Sequence, residues 1–188
     1  AVIGYFAILR AGGTVVNFNP LYVERELAFQ INDSRTEIML TMDLKLIYPK
    51  VGAMLKQTGL NRIIVCPMAG ILPGVKRVLF RLLKRKEIAT IPMDDQHIRF
   101  DSLIDNDGNE PAAPVEPTDT AVLQYTGGTT GTPKGAMLSH ANLAANVSQM
   151  LHWFPDLRPG EEKILGVLPL FHVFAMTSVM NFAVAAGA

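Results

Sequence analysis

The residues best suited to chemistry lie in one stretch, Y-T-G-G-T-T-G-T-P-K-G, from Tyr125 to Gly135. Gly127, Gly128, Gly131 and Gly135 permit backbone angles closed to other residues and let a ligand approach the main chain. Thr126, Thr129, Thr130 and Thr132 add hydroxyl donors, and the N–H groups between them can converge into an anion-binding nest. Lys134 supplies a point charge. A hydrogen bond to a charged phosphate oxygen contributes roughly 1.5–3 kcal/mol, so about four or five donors suffice to anchor a triphosphate. Phosphate is the anion this stretch suits best. It is not a Walker loop, which runs Gly-Lys-Ser/Thr into a helix; here Lys134 follows Pro133 and precedes Gly135 and an expected strand. The competing reading is a tight hairpin of turn formers. Such a turn uses about two or three glycines, not four with four threonines and a lysine.

Three other side chains carry weaker claims. His172 closes the segment Pro169 to His172, where a loop histidine satisfies a nearby carbonyl as readily as it serves a ligand. His140 sits next to an expected helix start, and His152 on that helix's polar side.

The elements that must position these residues alternate short β-type runs with helical periodicity, the pattern of stacked βα units. An α/β fold of mainly parallel sheets flanked by helices is expected. Helix is predicted over Ala1 to Arg10, stopped by Gly12-Gly13, and strand over Thr14 to Asn17. Val23, Leu27 and Ile31 share one face of a helix ending near Asp33-Ser34. Glu37 to Met42 and Arg62 to Cys66 read as strands around a helix marked by Leu44, Ile47, Val51 and Leu55, with Pro49 a break or late start. A strand (Ala121 to Tyr125), the loop, a short strand (Ala136 to Leu138) and a helix from about Ala141 come next. That helix's apolar face is Leu143, Val147, Met150, Leu151 and Phe154. Ile164 to Leu168 is predicted as a strand and the chain then ends in a helix.

Two oppositely charged segments interrupt this order. Lys76 to Lys86 holds six of the seventeen basic residues, interleaved with Val78, Leu79, Leu82 and Leu83. It reads either as a basic amphipathic helix on anionic lipid or as a solvated helix face. Asp94 to Asp119 holds eight of the seventeen acidic residues and reads as a solvated linker or long loop. The expected division is therefore a first βα subdomain over 1–110, a Pro/acidic linker over 111–119 and a phosphate-loop unit over 120–188.

With 49% apolar and 18% charged residues, the 188-residue chain has the composition of a globular protein, and its formal net charge of zero gives no footprint for nucleic acid. The single Cys66 excludes an intramolecular disulfide or a cysteine-rich metal site, which suits a reducing cytoplasm. Pro169, His172 and Asn181 interrupt the longest uncharged tract, Ile164 to Ala188, so it is expected as buried helix instead of a membrane span. Both ends fall inside apolar runs, and domain boundaries ordinarily fall in polar linkers. A fragment of a larger domain is the expectation.

The stretch YTGGTTGTPKGAMLSHANL resembles the phosphate-loop signature of the adenylate-forming superfamily of acyl-CoA synthetases, luciferases and peptide-synthetase adenylation domains. Its flanks are most similar to bacterial long-chain fatty acyl-CoA ligases. Ile8 to Ser34 and Val167 to Thr177 resemble the segments expected upstream and downstream. The resemblance implies the large N-terminal domain of the acyl-CoA synthetase/luciferase-like fold. It implies a fatty carboxylate attacking the α-phosphate of Mg·ATP, followed by transfer of the acyl group to coenzyme A. Thr126 to Gly131 would wrap the β- and γ-phosphates, Lys134 would brace the loop or touch pyrophosphate, and Thr126 would help hold Mg²⁺. His172 matches the histidine beside the carboxylate and α-phosphate, shaping the acyl entry; Arg10, Asn17 and Asn19 are given structural roles. Fatty acid, ATP and CoA are the implied partners, in the cytoplasm or peripherally at the inner face of the membrane through 76–86, with a homodimer left open and no nucleic acid. The adenine-binding segment, acidic ligand and mobile lysine domain of the superfamily have no counterpart in this sequence, so the 188-residue chain alone is expected to lack ligase activity. Two other readings stay open: an adenylating enzyme for another acid, and a non-catalytic nucleotide- or membrane-binding module.

Overall fold

The computed structural model describes residues 1–109, 113–126 and 133–188. Helix α1 (Val2–Arg10) leads to strand β1 (Val15–Val16). Then α2 (Glu24–Ser34), β2 (Ile38–Met42), α3 (Tyr48–Gln57) and β3 (Arg62–Cys66) alternate. Helix α4 (Gly74–Leu83), strand β4 (His97–Arg99) and helix α5 (Phe100–Ile104) follow. Strands β5 (Thr120–Thr126) and β6 (Lys134–Ser139) precede α6 (His140–Trp153). The last helical run comprises α7 (Val173–Ala175), a π-helical turn (Met176–Asn181) and α8 (Phe182–Ala186).

The chain divides into two compact units, Ala1–Phe18 with Pro111–Ala188, and Asn19–Glu110. This differs from the linear division expected at 110, because β1 pairs in parallel with β5 across more than a hundred residues of sequence. A two-residue strand carries almost no signal of its partner. The sheet, not chain proximity, decides where it belongs.

The first unit is built on the sheet β1-β5-β6, with β5 central, parallel to β1 and antiparallel to β6. Thr14 Oγ1 donates to the Thr120 carbonyl at 2.9 Å and fixes the start of the β1/β5 register. Gly12, at φ 74°, turns the chain out of α1; a Cβ there would meet Ala113 Cβ at 3.0 Å. Tyr5, Val15, Ala121, Val122, Met176 and Met180 form the core, each large apolar side chain contributing roughly 1.5–3 kcal/mol by burial. The buried Tyr5 hydroxyl accepts from Asn181 Nδ2 at 3.1 Å, which ties α1 to the π-helical turn; burial raises the Tyr5 pKa. Helix α6 starts with a reciprocal cap: Ser139 Oγ accepts from the Asn142 N–H, and Asn142 Oδ1 accepts from the Ser139 N–H. Of its expected apolar face, Leu143 packs against the core and Val147, Met150 and Leu151 are half-buried. Phe154 is exposed, its ring 5.7 Å from Phe182.

One expected strand is absent. Ile164 to Leu168 forms no strand, and Leu165 and Val167 are exposed. Its backbone lies against the last helical run, where a Cβ on Gly166 would meet Val179 Cγ1 at 3.1 Å, and Pro169 offers no N–H to a ladder.

The second unit carries the parallel sheet β2-β3-β4, whose side chains alternate in burial along β2 and β3. Leu27 and Ile31 of α2, Val51 and Met54 of α3 and Ile63 of β3 are buried. Pro49 stands in the first turn of α3, the late start the sequence allowed. The acidic segment is not simply a linker: β4 and α5 lie inside it. Three residues, His97–Arg99, are too few for periodicity to reveal, and their place is set by pairing with Ile63 to Val65 and by side-chain bonds. His97 Nε2 lies 2.8 Å from the Tyr48 hydroxyl on α3, and His97 Nδ1 lies 2.6 Å from Asp94 Oδ1.

The hydrogen bond from His97 and the Gln96 and His97 N–H groups hold the Asp94 carboxyl below its ordinary value. A carboxyl with a lowered folded pKa contributes stability that is present above its unfolded pKa, about 4, and is lost as pH falls through the folded value. The Tm of the parent protein should therefore exceed that of Asp94→Asn at pH 6, and the gap should close as the pH is lowered below about 4. A gap that persists unchanged at pH 3 contradicts this assignment.

Candidate functional site

Strand β5 ends at Thr126 and β6 begins at Lys134, and these two residues are direct partners across the hairpin. Opposed residues in an antiparallel ladder share a sheet face, so the Thr126 and Lys134 side chains leave the hairpin on the same face at the mouth of the loop. Both are exposed or half-exposed. Gly127, Gly128, Thr129, Thr130, Gly131 and Thr132 lie outside the described residues. The hairpin therefore brings Thr126 and Lys134 together as a frame for the loop.

Strand β1 runs parallel to β5, and its last residue, Val16, pairs with Leu123, three residues before β5 ends at Thr126. In α/β sheets ligands bind beyond the carboxyl ends of the parallel strands. Asn17, one residue past β1, donates through Nδ2 to Gln124 Oε1 at 3.2 Å and lies 3.4 Å from Met176 Sδ. Gln124 in turn donates through Nε2 to the Phe171 carbonyl at 3.2 Å. One buried amide thus ties the end of β1, strand β5 and the Pro169 to His172 loop together. The sequence reading gave Asn17 a structural role and missed Gln124. Its signal was an amide at a buried position of the otherwise apolar run Ala121 to Tyr125, and a buried amide needs partners.

His172 stands at the N-terminus of α7, its backbone N–H bonded to the Pro169 carbonyl at 3.0 Å. The ring is exposed and packs at 5.4 Å on Phe171. Among the described residues it makes no side-chain hydrogen bond. His152, in the last turn of α6, has its Nδ1 2.7 Å from the Ser148 carbonyl. His140 contributes its backbone N–H to the Asp119 carbonyl at 3.1 Å.

Gly135 has a different reason from the one the sequence suggested. It pairs with Tyr125 in the ladder, and a Cβ there would lie 3.1 Å and 3.2 Å from the Tyr125 ring. The missing side chain makes room for the buried Tyr125 ring next to the loop. Gly135→Val should force the ring aside and lower stability by about 1–3 kcal/mol, measured as a urea midpoint shift at unchanged slope; an unchanged midpoint contradicts the packing argument.

Among the described residues no group of three or more His, Cys, Asp or Glu side chains is placed to hold a metal ion, and no helix is long and apolar enough to cross a membrane.

The parallel β1/β5 pair, the antiparallel hairpin and the flanking helices are those of the acyl-CoA synthetase/luciferase-like fold. The family model for AMP-binding enzymes matches residues 1–188, and the chain belongs to that family. It is 37% identical, over 99% of its length, to a long-chain-fatty-acid–CoA ligase of Bacillus subtilis (strain 168), and covers 34% of that protein. Against a long-chain-fatty-acid–CoA ligase of Escherichia coli O157:H7 it is 38% identical, with 93% of this chain and 32% of that protein covered. The crystal structure of a long-chain-fatty-acid–CoA ligase from Archaeoglobus fulgidus superposes at a TM-score of 0.73 with 27% identity, covering 99% of this chain and 31% of that one. The chain thus spans about a third of the length of the curated relatives it matches.

Proposed function

We propose that the protein, at its full encoded length, activates a long-chain fatty acid with ATP and passes it to coenzyme A. Two reactions make up the cycle. A carboxylate oxygen attacks the α-phosphorus and pyrophosphate leaves; the thiol of CoA then attacks the acyl carbonyl and AMP leaves. The reading is carried by one observation: a family match that runs the length of the chain, with long-chain-fatty-acid–CoA ligases among the relatives it matches. The pairing of Thr126 with Lys134 supports it.

In this reading the loop from Thr126 to Gly131 binds the β- and γ-phosphates through backbone N–H and hydroxyl donors. Lys134 lowers the charge on the departing pyrophosphate, and His172 borders the entry of the acyl chain. Stabilisation comes from donors held in place before the reaction begins. Gln124 and Asn17 serve as positioning residues, holding the His172 loop at the end of β5.

Thr126 fits Mg²⁺ as one hard oxygen donor. No cluster of His, Cys, Asp or Glu side chains lies among the described residues, and phosphate oxygens of the nucleotide would supply further ligands, as Mg²⁺ sites on nucleotides ordinarily have. When bound with ATP, Mg²⁺ neutralises phosphoryl charge. Fatty acid, ATP and CoA are then the partners, and a cytoplasmic protein seated peripherally at an anionic membrane face would meet its apolar substrate there. ATP–pyrophosphate exchange by the full-length protein, measured across acids of increasing chain length, tests the proposal. Exchange that rises with chain length into the long-chain range is expected. Exchange driven better by an aryl or amino acid would refute the fatty substrate.

A further inference from the structure

Helix α4 lies in the connection between β3 and β4, two adjacent parallel strands. A crossover helix ordinarily lays its apolar stripe on the sheet. Helix α4 buries none of its residues. At about 100° per residue, Val78, Leu82, Val75, Leu79 and Leu83 fall on one arc, and all five are exposed, Val75, Leu82 and Leu83 by 76%, 73% and 75%. The opposite arc holds Lys76, Arg77, Arg81 and Lys84 around the half-buried Phe80. Arg77 donates to the Leu72 and Gly70 carbonyls at 3.3 and 3.2 Å. The helix is therefore turned over, with its apolar arc outward.

Charge says what that arc faces. Pro67 to Lys86 contains no acidic residue. Among the described residues, Lys76, Arg81, Arg85 and Lys86 form no ion pair; Lys84 pairs only with Glu87. Lys76 and Arg81 border the apolar arc on its two sides. A cover made of protein would need an apolar groove rimmed by matching carboxylates, whereas an anionic bilayer offers acyl chains and phosphates together. We infer that α4 docks the protein on an anionic lipid surface, with Val75, Leu79, Leu82 and Leu83 at the acyl boundary and Lys76, Arg81, Arg85 and Lys86 at headgroup phosphates. The claim goes beyond the ligase reading, naming the element, its orientation and the lipid charge it requires.

Sedimentation of the full-length protein with phosphatidylcholine vesicles, with and without phosphatidylglycerol, tests it. Binding is expected only with phosphatidylglycerol and should weaken as salt is raised. The set Lys76→Gln, Arg81→Gln, Arg85→Gln, Lys86→Gln and the pair Leu79→Ser, Leu82→Ser should each lower the partition coefficient by about tenfold or more. Tm should stay unchanged, since these side chains touch water. Three results overturn the docking: partitioning unaltered in both variants, a Leu79→Ser, Leu82→Ser variant whose Tm falls because its own chain covers the arc, or one that dissociates an oligomer because a second copy does. A protein that exchanges pyrophosphate yet stays in the supernatant loses the docking and keeps the ligase function.

Discussion

Lys134→Ala should lower kcat/KM for ATP in the full-length protein by about 10²- to 10³-fold, the usual cost of removing one preorganised donor to developing charge. Its Tm should remain within about 2 °C of the parent, because the side chain is exposed and contributes only its backbone to the β5/β6 ladder. Register places Lys134 opposite Thr126 at the loop mouth, and its ammonium has no carboxylate partner among the described residues. An ammonium left unneutralised there is available to an anion, and Lys134→Arg, which keeps charge but not its compact shape, should recover only part of the loss. Steady-state kinetics at varied ATP, with a melting curve for each variant, checks this. A Lys134→Ala enzyme within about threefold of the parent would remove the lysine from the mechanism.

The second large effect concerns His172. Its ring is exposed, packs on Phe171 and bonds to no described side chain or carbonyl. In the proposed function this ring borders the acyl entry by shape, and an aromatic-sized contact contributes on the order of 2–3 kcal/mol when a ligand covers it. His172→Ala should therefore lower kcat/KM for the fatty acid by about 30- to 100-fold, whereas His172→Phe should restore most of the activity. Equal losses in both variants would mean that an imidazole nitrogen, not ring shape, is required. Gln124→Leu should move the same parameter without touching substrate, by freeing the Phe171 carbonyl and the loop behind it.

The parts of the fold that sequence disclosed are those with local causes. The helix expected from about Ala141, Pro49 as a late start of α3 and the strands expected over Glu37 to Met42 and Arg62 to Cys66 each follow from neighbouring residues. What escaped was set at long range. The two residues of β1 gain meaning only from Val122 and Leu123; His97–Arg99, inside an acidic run, is a strand because β3 and Tyr48 hold it. Ile164 to Leu168 erred in the other direction, since an apolar β-type run becomes a strand only with a ladder partner, and none lies beside it among the described residues. At the site, glycine and threonine content pointed to a phosphate-holding loop, of which residues 127–132 lie outside the described residues. Gly135 shows the limit of such counting: its freedom serves the Tyr125 ring. The amide bridge through Gln124 had only a polar letter in an apolar strand to announce it.

Calorimetric titration of the full-length protein and of a Thr126→Val, Lys134→Ala variant with ATP, pyrophosphate and AMP tests most directly whether this hairpin grips the outer phosphates. The variant should bind ATP and pyrophosphate at least about tenfold more weakly while its affinity for AMP, which lacks those phosphates, stays that of the parent. Equal losses for AMP and ATP, or ATP bound as tightly as before, would contradict a phosphate-holding hairpin.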